Sequence, residues 1–293
     1  MPKLLYTDKN FNAANMEIVE KADSIIEEYQ EEGMQLTLRQ LYYQFVSRAL
    51  IENKQSEYKR LGNIISDARL AGLIDWDAIT DLTRNLQKNS HWRNPGEIIR
   101  TAYHSFQLDH WKGQSHHVEV WIEKEALIGV IAPICEELDV PYFACKGYVS
   151  QSEMWNASQR LIEFSDIGQD PVIIHLGDHD PSGIDMTRDI EDRQATFHNH
   201  VTVERIALNM NQIDEHDPPP NPAKLTDSRC ASYIQEYGGE SWELDALEPR
   251  ILRELIEDTV TSYRDEDIYN EVIAKEEEYK AILKKVARTW KKL

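Results

Sequence analysis

The chain reads as an α/β protein in two parts, a helical domain over residues 1–112 and a parallel-sheet domain over residues 113–293 that ends in helices. Three observations predict this. Near the N-terminus, apolar residues recur at helical spacing in three successive segments. In the middle, short apolar runs alternate with helical stretches, the rhythm of parallel strands joined by right-handed crossovers. The last third returns to helical periodicity.

In the first segment, "NMEIVEKADSIIEEYQEEG", Ile18, Ala22, Ile25, Ile26 and Tyr29 fall on one helical face and Gly33 stops the helix. Thr37 opens a second helix, and Thr37 and Gln40 have capping-box spacing, each side chain reaching the other's unsatisfied backbone N–H. Within "TLRQLYYQF", Leu38, Leu41, Tyr42, Phe45 and Ala49 form an apolar stripe, which assigns Tyr42 to the core. Tyr43 is turned about 100° away. Its neighbours one turn off are Arg39, Gln40 and Ser47, so the pattern exposes it to solvent or a ligand. A third helix runs from about Ser56 to Ala71, with Tyr58, Leu61, Ile64, Ile65 and Ala68 on one face. "AGLIDWDAITDLTR" then suggests a β-wing. Three helices and a small β element give a winged-helix-like outline, shared by small helical domains of other function.

The strand-like runs are "HHVEVWI" (116–122), "PYFAC" (141–145), "PVIIHL" (171–176) and "HVTVERIAL" (200–208). The helical stretches between them are Ala126–Leu138, Ser152–Ser165 and Gly183–Gln194. The alternation predicts a Rossmann-like parallel sheet. "DEHDPPPNPAK" reads as a rigid loop or boundary. The basic end of the last helix (Lys284, Lys285, Arg288, Lys291, Lys292) suits a helix C-terminus without a ligand.

A net charge of −20 argues against a protein that simply coats nucleic acid. The charge is uneven. Residues 33–112 carry 11 Lys/Arg against 8 Asp/Glu, whereas the remainder carries 21 against 44. One part can therefore face a polyanion while another concentrates carboxylates. No run of about 18 apolar residues suggests a membrane span and no apolar leader is evident. Three cysteines without a CxxC make a disulfide framework or zinc site unexpected. The expected location is cytoplasmic, or nucleoid-associated.

Two acidic spots follow strands directly. Glu123 ends the first, and Asp178 and Asp180 stand in "GDHDPSG" after the third. Residues just past the carboxyl ends of parallel strands line the ligand crevice of such sheets. Gly177 and Gly183 are expected to free the turn and Pro181 to stiffen it. A D-x-D in a Gly/Pro turn is by itself ordinary turn chemistry. A strand-terminal Glu in the same sheet favours an oxygen-rich site for Mg²⁺, which typically takes one or two carboxylates plus waters and phosphate oxygens. Glu125 is an accessory candidate that also suits the start of a helix. Tyr43 is either a surface tyrosine stacked on Arg39 or a nucleophile, with Arg39 favouring the phenolate and holding a phosphate.

These motifs carry a family resemblance. "IEKEAL" followed by "GDHDPSGIDM" resembles the Toprim fold of topoisomerases, primases and related nucleases. The D-x-D-P-x-G form is similar to the A subunit of type IIB topoisomerases (topoisomerase VI) and its meiotic double-strand-break relative. In that family an R-x-x-Y-Y helix lies in an upstream winged-helix domain, and "RQLYY" (39–43) matches it in type and order. "CKGYVS" (145–150) resembles the family's G-K-G-Y-P segment, with Cys145 for Gly and Val149 for Pro, which makes Lys146 an accessory candidate at most. The likeness spans about residues 33–210 and is nearest to compact stand-alone "Mini-A" proteins. It implies attack by Tyr43 on double-stranded DNA to give a 5′-phosphotyrosine link, with Arg39 on the phosphate and Glu123, Asp178 and Asp180 holding Mg²⁺. It also implies a homodimer in which Tyr43 of one protomer serves the metal site of the other. No Gly-rich ATP motif is present, so strand passage would need a separate ATPase subunit. Two alternatives stay open, a Toprim nuclease that uses metal-bound water and a non-catalytic winged-helix DNA-binding protein. Glu243 and Asp245 in "WELDALEP" are further carboxylates for structure or metal.

Overall fold

In the computed structural model, residues 3–79, 89–197, 200–223 and 226–289 are described. Helices α1 (Ala13–Glu31), α2 (Leu38–Ser47) and α3 (Gln55–Leu70) come first. Their apolar faces meet in one core that includes Ile25, Ile26, Leu41, Phe45, Leu61 and Ile65. The Thr37/Gln40 capping box forms, with the Thr37 N–H donating to Gln40 Oε1 at 2.9 Å and the Gln40 N–H donating to Thr37 Oγ1 at 3.2 Å. Ala49, expected on the α2 stripe, lies beyond the helix at a φ of 53° and is exposed. The segment expected as a β-wing shows isolated bridges, Leu5 to Ala71 and Leu36 to Ile79, and no strand among its described residues; its remainder, 80–84, lies outside them.

Helix α4 (Pro95–Ser105) leads into four parallel strands: β1 (His116–Ile122), β2 (Tyr142–Ala144), β3 (Asp170–Leu176) and β4 (Thr202–Ala207). Their order is β2-β1-β3-β4. Helices α5 (Ile128–Glu137), α6 (Gln151–Asp166) and α7 (Pro181–Thr196) make the crossovers. Strands β1 and β3 are buried on both faces because both are covered. Val118, Val120, Ile122, Val172 and Ile174 pack with α5 and α10 (Pro249–Ser262), whereas Trp121 and Ile173 pack with Met154 and Leu161 of α6 and Ile190 of α7. The chain leaves β1 outward to β2, then returns past β1 to β3. The connection therefore reverses direction between β1 and β3, and a crevice opens at their carboxyl ends.

The proline-rich piece is more structured than a boundary loop. Helix α8 (Met210–His216) occupies its start, and β5 (Asn221–Pro222) pairs antiparallel with β6 (Glu240–Ser241), beyond α9 (Cys230–Tyr237). The chain ends in α10 and α11 (Glu266–Thr289), and α4 packs against α11, with the Phe106 and Tyr279 rings 6.1 Å apart nearby. Among the described residues no helix is long and apolar enough to cross a membrane.

Candidate functional site

Glu123 and Asp178 sit at the carboxyl ends of β1 and β3, side by side because those strands are hydrogen-bonded neighbours. Glu123 Oε2 accepts the Asp178 backbone N–H at 2.8 Å. Burial and the nearby Asp178 carboxylate push the Glu123 carboxyl up to about 7. Asp178 is also raised, first by burial, against the pull of Lys124.

The turn carrying the two aspartates is fixed from several sides. Asp180 caps α7, its Oδ1 accepting the Ser182 and Gly183 N–H groups at 3.0 and 2.7 Å and the Ser182 hydroxyl at 2.9 Å. Pro181 takes the first helical position, where its missing N–H costs nothing. The two glycines provide space rather than unusual backbone freedom, since neither has positive φ. A Cβ on Gly183 would stand 2.1 Å from the Asp178 carbonyl oxygen. One on Gly177 would stand 3.1 Å from both Arg205 and Glu123. Arg205, from β4, donates to the carbonyls of Gly177, Asp178 and Gly183 at 2.9, 2.7 and 2.9 Å. Burial lowers its guanidinium to about 10, well short of neutrality. The middle residue, His179, exchanges backbone hydrogen bonds with Trp242 at 2.8 and 2.9 Å.

That last bridge brings "WELDALEP" beside the crevice. Lys124 donates to Asp178 Oδ1 at 2.8 Å, to Asp245 Oδ2 at 2.7 Å and to Glu243 Oε2 at 3.0 Å. Burial alone would lower its ammonium, but the three carboxylates outweigh that and hold it above its ordinary range. Arg39 donates to the same Glu243 oxygen, and its Nε lies 3.6 Å from Asp245 Oδ2. An ionic chain thus runs from Arg39 on α2, through Glu243, Asp245 and Lys124, to Asp178 in the sheet.

This contact corrects the expectation for Tyr43. The helical pattern leaves it on an exposed polar face, yet it is 3% exposed, as closed off as Tyr42 at 4%. The second face of α2 is not a surface, because it packs against the short 3₁₀ turn Leu244–Ala246. Gln40 and Gln44, on the same helix, are also buried. Burial and Glu243 raise the Tyr43 phenol, while Asn221 and Arg39 pull it the other way. A cavity of about 160 Å³ lined by Arg39, Tyr43, Asn221 and Glu243 lies alongside.

Lys146 and Glu125 stand outside the network and pair with each other at 2.6 Å on the rim. Among the described residues no three His, Cys, Asp or Glu side chains form a ready metal cluster. Asp180 is turned to its cap and Lys124 sits on Asp178. The donor set still suits a hard cation, because Glu123 and Asp178 crowd like charge and Lys124 already stands in as a cation on one of them. Sequence reasoning passed over Lys124 and Arg205. The signals were present: a lysine between two glutamates in "IEKEAL", and an arginine inside a strand of a sheet covered on both faces.

No family model matches the chain. No curated protein matches it in sequence.

Proposed function

We propose that the chain is a DNA-cleaving transesterase of the type IIB topoisomerase A kind, with a winged-helix-like N-terminal domain and a Toprim domain. The observation that carries this reading is the ionic chain joining the Arg39/Tyr43 helix to the Glu123/Asp178 pair. Chemistry-bearing residues from two distant parts of the sequence converge at the crevice where ligands of open parallel sheets bind. Arg39 holds a phosphate of double-stranded DNA, and its fork suits that geometry. The Tyr43 oxygen attacks the phosphorus as its phenolic proton passes to solvent, the bond to the 3′ oxygen breaks and that oxygen takes up a proton to become a hydroxyl, and a 5′-phosphotyrosine link remains. Glu123 and Asp178, with Asp180, would hold Mg²⁺, which when bound stabilises charge developing on the phosphate and the leaving oxygen. Arg205 and Gly183 keep the two aspartates in register.

Tyr43 is sealed by its own chain, so reaction requires α2 to part from the Leu244–Ala246 turn. A helix released in this way can serve a second copy, in keeping with a homodimer that shares its sites. Mixing Tyr43→Phe with Asp178→Ala is expected to regain cleavage that neither variant shows alone. No gain on mixing would assign both halves to one chain. Strand passage is proposed to need a separate ATPase subunit, and a cytoplasmic or nucleoid-associated setting goes with this activity.

The same burial of Tyr43 favours a second reading, a metal-dependent nuclease without a covalent intermediate. The deciding experiment incubates the protein with supercoiled DNA and Mg²⁺, denatures it, and looks for protein attached to 5′ ends. The transesterase reading expects an adduct that Tyr43→Phe abolishes. Cleavage by Tyr43→Phe at the wild-type rate leaves the nuclease reading, and full Mg²⁺-dependent activity in Asp178→Ala removes both.

A further inference from the structure

Two cations converge on one carboxylate oxygen. Glu243 Oε2 accepts from Lys124 at 3.0 Å and from Arg39. Beneath them Asp245 has a fully buried side chain and takes a second bond from Lys124 at 2.7 Å. The two acids therefore differ in kind. Asp245 is a fixed base that orients the cations, whereas the Glu243 side chain keeps 28% of its surface exposed and faces the cavity beside Tyr43. One anionic oxygen held between a guanidinium and an ammonium is the arrangement a phosphodiester oxygen would adopt with the same two donors. With Glu243 withdrawn, Arg39 and Lys124 balance Asp178 and Asp245. A single phosphodiester charge would then replace the glutamate charge for charge. The adjoining cavity gives a nucleotide backbone room to approach from the Tyr43 side.

We propose that Arg39 and Lys124 form a phosphodiester seat, and that Glu243 occupies it until nucleic acid displaces the side chain. Lys124 is thereby a substrate-binding residue and Glu243 an internal competitor. The inference rests on the reading of DNA as substrate.

The test is binding of a short fluorescein-labelled DNA duplex in EDTA, followed by anisotropy across a salt series, with thermal melting of each variant as a folding control. Glu243→Gln removes the competitor and is expected to bind roughly tenfold tighter than wild type. Glu240→Gln removes an equal charge from the solvent-facing position three residues away on β6 and is expected to bind nearly as wild type. Lys124→Gln is expected to bind more weakly and to lower the slope of log affinity against log salt by about one. Lys124→Arg is expected to retain that slope. A Glu243→Gln protein that binds no tighter than Glu240→Gln overturns the proposal, and so does a wild-type slope in Lys124→Gln. Should Lys124→Gln not fold, the two glutamate variants decide the matter. Tighter binding by Glu243→Gln without any tyrosine–DNA adduct would remove the covalent reading and leave the seat. An adduct without the gain would do the reverse.

Discussion

Glu119 and Glu123 lie four residues apart at the middle and the end of the same stretch, and their carboxyls go in opposite directions. For Glu119, burial works against the charge, but a two-pronged hydrogen bond from Arg160 at 2.8 and 2.9 Å, His117 and the Trp121 ring N–H at 2.9 Å hold it at about 2. Glu123 meets the same kind of burial with a carboxylate beside it in place of a guanidinium, and it rises to about 7. A carboxylate with its donors met serves the fold. One left crowded with like charge stores a tendency to bind a proton or a cation, which is useful only where something is to be bound.

The contrast can be broken from the Glu119 side. Arg160→Ala leaves a buried charge without its main partner and is expected to cost about 3 kcal/mol, read by denaturant unfolding. Glu119→Gln in the Arg160→Ala background should recover part of that loss. If the single variant unfolds like wild type, Glu119 is not the structural member of the pair.

On the Glu123 side, Arg205→Met removes the donor from three carbonyls of the aspartate turn. A loss of about 2 kcal/mol is expected, together with loss of cleavage out of proportion to the fraction unfolded. Activity that simply tracks the folded fraction would deny Arg205 a positioning role.

Acid and base separate the two glutamates next. The folded state holds a proton on Glu123 more tightly than the unfolded chain does, so its contribution to stability is present below about pH 4.5 and is lost as pH rises toward 7. Glu119 has the opposite sign, contributing above about pH 4.5 and losing that contribution as pH falls toward 2. Melting curves of Glu123→Gln should therefore gain on wild type between pH 5 and pH 8, as roughly follows from that linkage. A gap independent of pH would show that Glu123 is not raised.

The smallest effect expected is at Tyr42, whose hydroxyl donates to Asn53 Oδ1 at 2.9 Å. Tyr42→Phe is expected to cost about 1 kcal/mol and leave cleavage intact, whereas Tyr43→Phe is expected to abolish the adduct. Equal loss of activity in both variants would erase the division of roles between the adjacent tyrosines.

The strands and their crossover helices were legible because β1 and β3 carry short apolar runs, Val120–Ile122 and Val172–Ile174, and the intervening segments keep helical periodicity. The capping box at Thr37 was legible because it is local, closed within four residues. Glu123, Asp178 and Asp180 could be placed at strand ends for the same reason. The environment of Tyr43 was not legible. Periodicity distinguishes the faces of α2 but cannot tell a solvent face from one that meets a segment two hundred residues away. Glu243 and Asp245 gave no sign of their partners, since "WELDALEP" looks like any acidic turn until His179 and Trp242 bring it to the crevice.

The sequence by itself determined the order of elements, the alternation of strands with crossover helices and the positions of the strand-end carboxylates, because these follow from the backbone period and the chemistry of adjacent residues. Which glutamate is satisfied and which is crowded, and which tyrosine face is closed, only the tertiary structure decided. Burial and charge at a point depend on what other segments bring there: Arg160 over Glu119, Asp178 beside Glu123, and Glu243 between Arg39 and Lys124.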